Sequence, residues 1–519
     1  MSAFVSHPLI KPNTMESRKY QESILATAAS KNLLCVLPTG LGKTNIAILL
    51  AALKLEKHPE SKILVTAPTR PLVSQHHKTF SHFLNIPEEK FHVITGTTKP
   101  EDRESLYLIK QIIFATPQTL QNDLEEHRLN LKEFSLLVID EIHHAVGDYA
   151  YPYIAKAYLE QAKSPRILGL TASPGGTREK IHEICRNTGI DTVEIKTEQD
   201  EDVIEYIKEK EIDWIKVELP EAFGQIRDLL RAVYNKKVET LRRMKFARSR
   251  VTKKDLLELQ AHFIKSINQG NKNGFIGISV VSPAIKIEHA IGLLETQGIT
   301  SLENYWKKLR EDESKGAKSL IADKIISNAM FLTRNLAEQG YRHPKISKLC
   351  SLVSQQMKEK QDSKIIIFAT YRDAVREIVE VLGKLDNVKP VEFIGQGRRE
   401  KGTQGITQKE QGRRLEDFRS GEYNTLVCTS IGEEGLDIPS MDLAVFYEPV
   451  PSEIRQIQRR GRVGRAKIGK VIILMTTNTR DETYYWVAHV KEKRMKSVLY
   501  GMKFGTNQSN LKDISSQDQ

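Results

Sequence analysis

At 519 residues the chain is too long for one ordinary core, so two or three domains are expected. Its 39% hydrophobic and 28% charged content is that of a soluble globular protein, with no apolar run expected to span a membrane and no signal-peptide core at the N-terminus. The net charge of +12 points to a polyanionic partner, and the scattered Cys35, Cys185, Cys350 and Cys428 exclude a CxxC pair, an iron–sulfur spacing or a disulfide framework, which fits a reducing intracellular compartment.

Residues 1–210 alternate short apolar strands with helical patterns, the signature of a parallel sheet. Strands are predicted at Leu33–Leu37, Ile63–Thr66, Phe91–Ile94, Ile112–Ala115, Leu136–Ile139 and Ile167–Leu170. The first of them runs into Pro38-Thr39-Gly40-Leu41-Gly42-Lys43-Thr44 and then an apolar helical pattern from Ile46 to Leu53. Strand, glycine turn and helix together make a phosphate-binding loop, although the motif's first glycine is absent. Glycines let the backbone approach phosphates, and amides at the helix start point at the anion. Lys43 then reaches the β- and γ-phosphates, and the Thr44 hydroxyl holds Mg²⁺. ATP and Mg²⁺ are the expected cofactors.

The buried strand Leu136–Ile139 ends in Asp140-Glu141-Ile142-His143-His144. A carboxylate at the tip of a buried strand can hold the metal, and its neighbour can take a proton from an attacking water. Asp140 is assigned to Mg²⁺ and Glu141 to the base. Adjacent histidines on a strand would face opposite ways, and no Cys or His cluster lies near, so a zinc pair is not expected.

Residues 211–340 read as a helical insert, with Ile226, Leu229, Leu230, Val233, Val238, Leu241 and Met244 at helical spacing. Ser282-Pro283 reads as a helix start and Gly340 as a stop. Its Lys- and Arg-rich run includes Arg242, Arg243, Arg248 and Arg250, which are read as phosphate-backbone contacts rather than a merely solvated face. A second α/β domain is expected over 341–505, with strands at Lys364–Phe368, Thr425–Cys428, Leu443–Phe446 and Lys470–Leu474 and a charged helix from Asp481 to about Leu499. The polar segment 506–519 is expected to be a disordered tail. Within the second domain, Arg462 and Arg465 are separated by glycine turns and could reach a γ-phosphate held by the first.

In this order the motifs resemble those of a superfamily 2 helicase from Arg18 to Arg465. Beyond the two motifs above they comprise Arg18–Gln21, Ala67–Leu72, Thr95-Gly96, Ala115–Pro117, Thr171–Ser173, Ile367–Thr370, Thr429–Asp437 and Gln458–Arg465. Phe393–Gln396, Ile406–Gln411 and Thr479–Trp486 look like the Hef/FANCM branch. The resemblance implies an α/β fold of two RecA-like parallel-sheet domains with a helical domain between them. It implies Gln21, beside Arg18, on the adenine, and Gly435 and Asp437 near the ribose and phosphate. Thr39, Gly40 and Gly42 would line the phosphates, and Arg70, Gly96, Thr116, Thr370 and Thr429 would grip a nucleic-acid strand. The activity implied is an ATP-driven translocase on branched DNA, such as forks and junctions, moving 3′ to 5′ in replication-fork repair and recombination. Its place would be at the nucleoid, with repair proteins or a nuclease as partners. No clustered acids of an XPF-type nuclease follow Leu499, so either a helicase-only member or a fragment is expected. Against this stand an RNA-dependent ATPase of RIG-I or Dicer type, a scaffold without turnover, and the motor of a restriction or CRISPR complex.

Overall fold

The computed structural model describes residues 4–206, 212–246, 251–395, 407–429, 441–449 and 470–504. Thirteen strands among them form two sheets, and every strand pairing in both is parallel. The first sheet holds β1 (Leu33–Val36), β2 (Lys62–Thr66), β3 (Phe91–Ile94), β4 (Ile112–Ala115), β5 (Phe134–Asp140), β6 (Ile167–Thr171) and β7 (Thr192–Ile195), in the order β3-β4-β2-β5-β6-β1-β7. Helices cover both faces, so the central strands are buried throughout and read as unbroken apolar runs. Because all strands point one way, β1, β5 and β6 end at a single edge, where open α/β sheets bind ligands.

The second sheet holds β8 (Ile212–Val217), β9 (Ile365–Phe368), β10 (Pro390–Phe393), β11 (Thr425–Cys428), β12 (Leu443–Phe446) and β13 (Lys470–Thr476), in the order β10-β11-β9-β12-β13-β8. Strand β8 corrects the expected boundary at residue 211. It belongs to the second sheet, paired with β13 from Val471 to Thr476, although the insert separates the two. Its Ile-Asp-Trp-Ile-Lys-Val pattern suits an edge strand with one wet side, and no local signal says which sheet it joins. Strands β7 and β10 were likewise not expected. Each has four residues and is only partly buried.

Between the sheets stands a helical bundle built from Glu221–Arg243, Lys253–Asn268, Asn273–Thr296, Ile299–Glu311, Lys315–Ile321 and Lys324–Glu338. Phe223, Ile226, Leu230 and Val233 of the first helix pack on Ile287, Ile291, Leu294, Trp306 and Met330. Helix Asn273–Thr296 runs through Pro283, so Ser282-Pro283 is not a helix start. Gly316 packs closely on this turn: a Cβ there would lie 2.9 Å from Ser282 Oγ. By length and composition this helix could cross a bilayer, contrary to the expectation that no run would. Here Val281, Ala284, Ile287, Ala290 and Leu294 are covered by neighbouring helices. Gly340, at φ +75°, does follow the helix ending at Glu338.

Arg480–Phe504 forms one 25-residue helix. It starts at the end of β13 but does not stay with the second sheet. Met495 and Leu499 are buried in the first domain's core, with Leu34, Val36, Tyr151 and Ile181. Near its end the Tyr500 hydroxyl donates to Gln199 Oε1 at 2.9 Å. The far part of the expected second domain is therefore a strap onto the first. Residues 506–519 lie outside the described residues.

Candidate nucleotide and nucleic-acid sites

The loop after β1 turns on two left-handed glycines, Gly40 at φ +89° and Gly42 at φ +75°. A side chain at Gly42 would also collide with Gln21, whose Nε2 lies 2.5 Å from the Cβ position. Helix Lys43–Lys57 then starts with Lys43 and Thr44, and no side chain caps its first amides. Those amides and the positive end of the helix dipole face the turn, the arrangement that favours phosphate. Lys43 Nζ donates to Leu37 O at 2.9 Å, which draws it back over the loop. Thr39 and Gly40 form the outer bend of the turn.

Gln21 is buried, and its Nε2 donates to Leu41 O at 3.1 Å while its Oε1 has no protein partner. A buried amide with a spare acceptor fits the exocyclic amino group of adenine. Arg18 lies with its guanidinium 4.9 Å from the centroid of the Tyr206 ring and donates to the Tyr20 hydroxyl at 3.2 Å.

Asp140 is the last residue of β5, with its side chain nearly covered. Burial pushes its carboxyl up. The ring of His76, with Nε2 2.7 Å from Oδ2, and the ammonium of Lys43 pull the other way and prevail, so it is held below the usual carboxylate range. The field of Lys43 at Asp140 places the two motifs beside each other. A hydroxyl at Thr44 and a charged carboxylate at Asp140 are hard oxygen donors, the set Mg²⁺ prefers.

Glu141 adopts φ +50°, ψ +45°, a left-handed conformation uncommon outside glycine. Strain of this kind collects at functional sites, at a cost on the order of 1–3 kcal/mol. The following Ile142–His144 is a short 3₁₀ turn rather than strand, so the rings of His143 and His144 lie side by side, tilted by 33° with centroids 4.4 Å apart, instead of facing opposite ways. Ile142 is fully buried against Gly169 of β6, where a Cβ would come within 2.3 Å of its Cδ1. His143 Nδ1 lies 3.3 Å from Glu141 Oε2 and 3.1 Å from Thr171 Oγ1, and Thr171 Oγ1 in turn accepts from Ser173 N at 3.1 Å. A polar chain therefore runs from the base to the segment Thr171–Ser173. From there Ser173 Oγ donates to Met495 Sδ at 3.0 Å, on the strapping helix.

Sequence reasoning missed His76, Tyr151 and Met495. The Tyr151 hydroxyl donates to Asp140 O at 2.8 Å and fixes the strand tip. None of the three carries a local signature, because each is defined by a partner far away in the chain.

Arg70, Gly96 and Thr116 come together. With Pro68, Arg103 and Thr119 they line a surface cavity of about 320 Å³. Arg70 Nη2 lies 3.0 Å from the Cβ position of Gly96, so a side chain there would displace the guanidinium. Helices Arg70–Phe83 and Pro117–Glu125 both begin here, each with proline in its first turn. Two helix starts and an arginine make a phosphate-binding wall. Behind it the buried Asp123 joins Arg103 Nη1 at 3.0 Å, Arg128 Nε at 2.9 Å and the Tyr107 hydroxyl at 2.8 Å.

Thr370 and Thr429 both lie at strand ends of the second sheet. Thr370 N donates to Glu448 Oε1, and the mostly covered Thr429 donates its N–H to Phe393 O at 3.2 Å. Arg242 and Arg243 occupy the last turn of helix Glu221–Arg243, each within 3.5 Å of Glu239. Arg248, Arg250, Gly435, Asp437, Arg462 and Arg465 lie outside the described residues.

Three family models match in chain order: DEAD/DEAH box helicase over residues 18–181, a helical bundle of ATP-dependent RNA helicases over 222–340, and helicase conserved C-terminal domain over 344–467. The crystal structure of the Hef helicase domain from Pyrococcus furiosus superposes with a TM-score of 0.71 at 42% identity, covering 93% of this chain and all of that one. A Methanocaldococcus jannaschii protein named as an ATP-dependent RNA helicase is 43% identical over 97% of this chain and 63% of its own length. The ATP-dependent DNA helicase mph1 of Neurospora crassa is 34% identical over 94% of this chain and 43% of its own length. The ATP-dependent DNA helicase fml1 of Schizosaccharomyces pombe is 32% identical over 91% and 58%. The chain thus spans about half the length of the curated relatives it matches. By its motifs, its two sheets with the bundle between them, and its likeness to the Hef helicase domain, the chain belongs to the superfamily 2 DExH helicases of the Hef/FANCM branch.

Proposed function

We propose that the chain is an ATP-driven DNA helicase or translocase that works on branched DNA, at forks and junctions in replication-fork repair. The observation that carries this reading is the pairing of two sites in one domain: a phosphate loop beside Asp140, with Glu141 and His143 leading on to the Thr171–Ser173 segment, and a separate anion wall at Arg70, Gly96 and Thr116. ATP is the substrate, gripped by the loop amides and Lys43 while Gln21 reads the adenine. Thr44 and Asp140 would hold Mg²⁺, which would supply charge stabilisation at the phosphates. Glu141 takes the proton from the attacking water, and His143 fixes the Glu141 carboxylate and relays its position to Thr171. Arg462 and Arg465 are proposed to complete the charge at the γ-phosphate from the second domain. Contacts at the wall are to the sugar–phosphate backbone and so indifferent to sequence. The partners in this reading are DNA and a separate repair protein or nuclease, and the place is the nucleoid.

The name of the Methanocaldococcus jannaschii relative favours a second reading, in which RNA stimulates the motor. ATPase assays across forked DNA, four-way junctions, duplex DNA and double-stranded RNA separate the two. Stimulation highest on forks and junctions is expected; stimulation by double-stranded RNA alone would replace DNA with RNA.

A further inference from the structure

Neither the nucleotide site nor the anion wall uses the run Thr479–Trp486. The fold divides its side chains. Asp481 goes inward to the buried Lys345. Tyr485 packs its ring 4.3 Å from Trp214 of β8. Trp486 points outward and is 56% exposed, an unusual place for the largest apolar side chain. It stands at the mouth of a cavity of about 480 Å³ between helix Glu221–Arg243, helix Asn273–Thr296 and the first turns of the strapping helix.

The cavity floor is a closed ionic network. Arg231 Nη2 meets Glu295 Oε1 at 2.8 Å, Arg480 Nη2 meets Glu288 Oε1 at 2.8 Å, and Arg480 N donates to Glu295 Oε2 at 3.2 Å. The arginines are thus committed to carboxylates, and a third carboxylate, Glu482, lies in the wall. A phosphate would meet those acids. A flat ring bearing amino groups would instead find an aromatic face in Trp486 and hydrogen-bonding groups in Asn235, Asn478 and Thr483. The volume falls within the range of about 300–1,000 Å³ usual for small-molecule sites.

The cavity is also next to the strand path. Glu448 accepts both from Thr370 N and from Gln297 Nε2, at the end of helix Asn273–Thr296. Tyr371, next in sequence to Thr370, lies within electrostatic reach of Glu448 and of Arg480 in the cavity wall. On the other side, Asn235 is followed on its own helix by Lys236, Lys237, Arg242 and Arg243, the last two about 10 Å further along the axis. From residue 236 to 276 the sequence has eleven Lys and Arg against three Asp and Glu. A strand leaving Thr370 therefore passes the cavity before it meets this basic surface.

We infer that this cavity is a nucleobase subsite, in which one base of single-stranded DNA stacks on Trp486 while its backbone runs between Thr370 and the basic helix. The inference rests on the DNA reading above and adds a base contact to a motor expected to hold only backbone. It is tested with the full chain and a fluorescein-labelled dC20 oligonucleotide, whose bases carry the amino group the cavity would meet, following fluorescein anisotropy and, with unlabelled dC20, tryptophan emission. Of the three tryptophans Trp306 is fully buried and Trp214 is packed by Tyr485, so quenching by a stacked base reports mainly Trp486. Wild type should bind and be quenched. Trp486→Ala should bind about tenfold more weakly, and Trp486→Phe should lose the quench. An abasic oligonucleotide of the same length should bind wild type without quenching. Binding by anisotropy with equal quench in wild type and Trp486→Phe, or equal quench by the abasic strand, would overturn the subsite and leave the DNA reading standing. No anisotropy change with any oligonucleotide would take down both.

Discussion

The nucleotide edge of the first domain and the joint at the start of the strapping helix are built in opposite ways. At the edge, each functional group is set by its neighbours in sequence: Gly40 and Gly42 turn the chain, Lys43 and Thr44 open the helix, and Asp140 and Glu141 end a strand. At the joint, the charged groups find their ionic partners far away in the chain. Lys345 meets Asp481 across more than a hundred residues, with the Lys345 ammonium 5.2 Å from the centroid of the Tyr447 ring and Thr476 N donating to Asp481 Oδ2 at 3.0 Å. Arg480 meets Glu288 and Glu295 of the bundle. The edge holds chemistry in short rigid turns. The joint holds three structural units together, and the strap leaving it reaches the first domain beside Ser173. Chemistry can be local because phosphate is gripped by backbone and a few side chains. Communication between domains cannot.

The largest effects should come from the joint. Lys345 and Asp481 are both fully buried, so Lys345→Met or Asp481→Asn alone leaves one polar partner stranded and should cost about 3–5 kcal/mol. The double change Lys345→Met with Asp481→Asn should cost less than the sum of the two. Urea denaturation of the four proteins measures the coupling; strict additivity would mean that the pair does not hold the joint together. At the edge, Glu141→Gln should fold normally and lose about 10²–10³-fold in DNA-stimulated ATP turnover, the scale for removing a general base. A variant with normal turnover would place the base elsewhere.

Met495→Ala tests the link between the two regions. It removes buried side chain at the strap and should destabilise by about 2–3 kcal/mol. Beyond stability, it should lower the ratio of strand separation to ATP hydrolysis, because Ser173 loses its contact. Equal loss of both activities would reduce Met495 to packing. Arg70→Ala should leave turnover at saturating DNA nearly intact, weaken DNA binding, and reduce the salt dependence of binding by about one unit of slope. An unchanged slope would mean that Arg70 makes no phosphate contact.

The smallest effect is in pH. His343 caps helix Pro344–Glu359, with Nε2 3.1 Å from Glu295 O and Nδ1 accepting from Lys345 N at 3.2 Å. Burial and then the Lys345 charge push it down to about 3, and burial first also pushes His144 and His289 down to about 4. The unfolded chain takes up these protons first, near pH 6.5. Stability is therefore fully present above that pH and is lost as pH falls through 6.5 toward the folded values. Thermal melts from pH 7.5 to 5 should show the decline, and His343→Asn, which keeps a capping side chain, should flatten it. An unchanged slope would assign the decline to other groups.

The first sheet was legible because its buried strands are apolar runs bounded by turns, and the phosphate loop and the Asp140-Glu141 tip because their spacing is their chemistry. The insert was legible as helix from its period, yet Pro283 misled: a proline reads locally as a helix start, and only the packing of the bundle shows that the helix continues through it. Strand β8 misled in the same way, since its hydrogen bonds go to β13 beyond the whole bundle.

Sequence by itself determined which atoms can meet a nucleotide, since that ligand is bound by contiguous backbone and the side chains it carries. Only the tertiary structure decided what binds to what across the chain: His76 on Asp140, Asp481 on Lys345, the strap on the first domain, and Trp486 left outside. Those pairings depend on three-dimensional packing and burial, which a linear pattern of residue types does not encode.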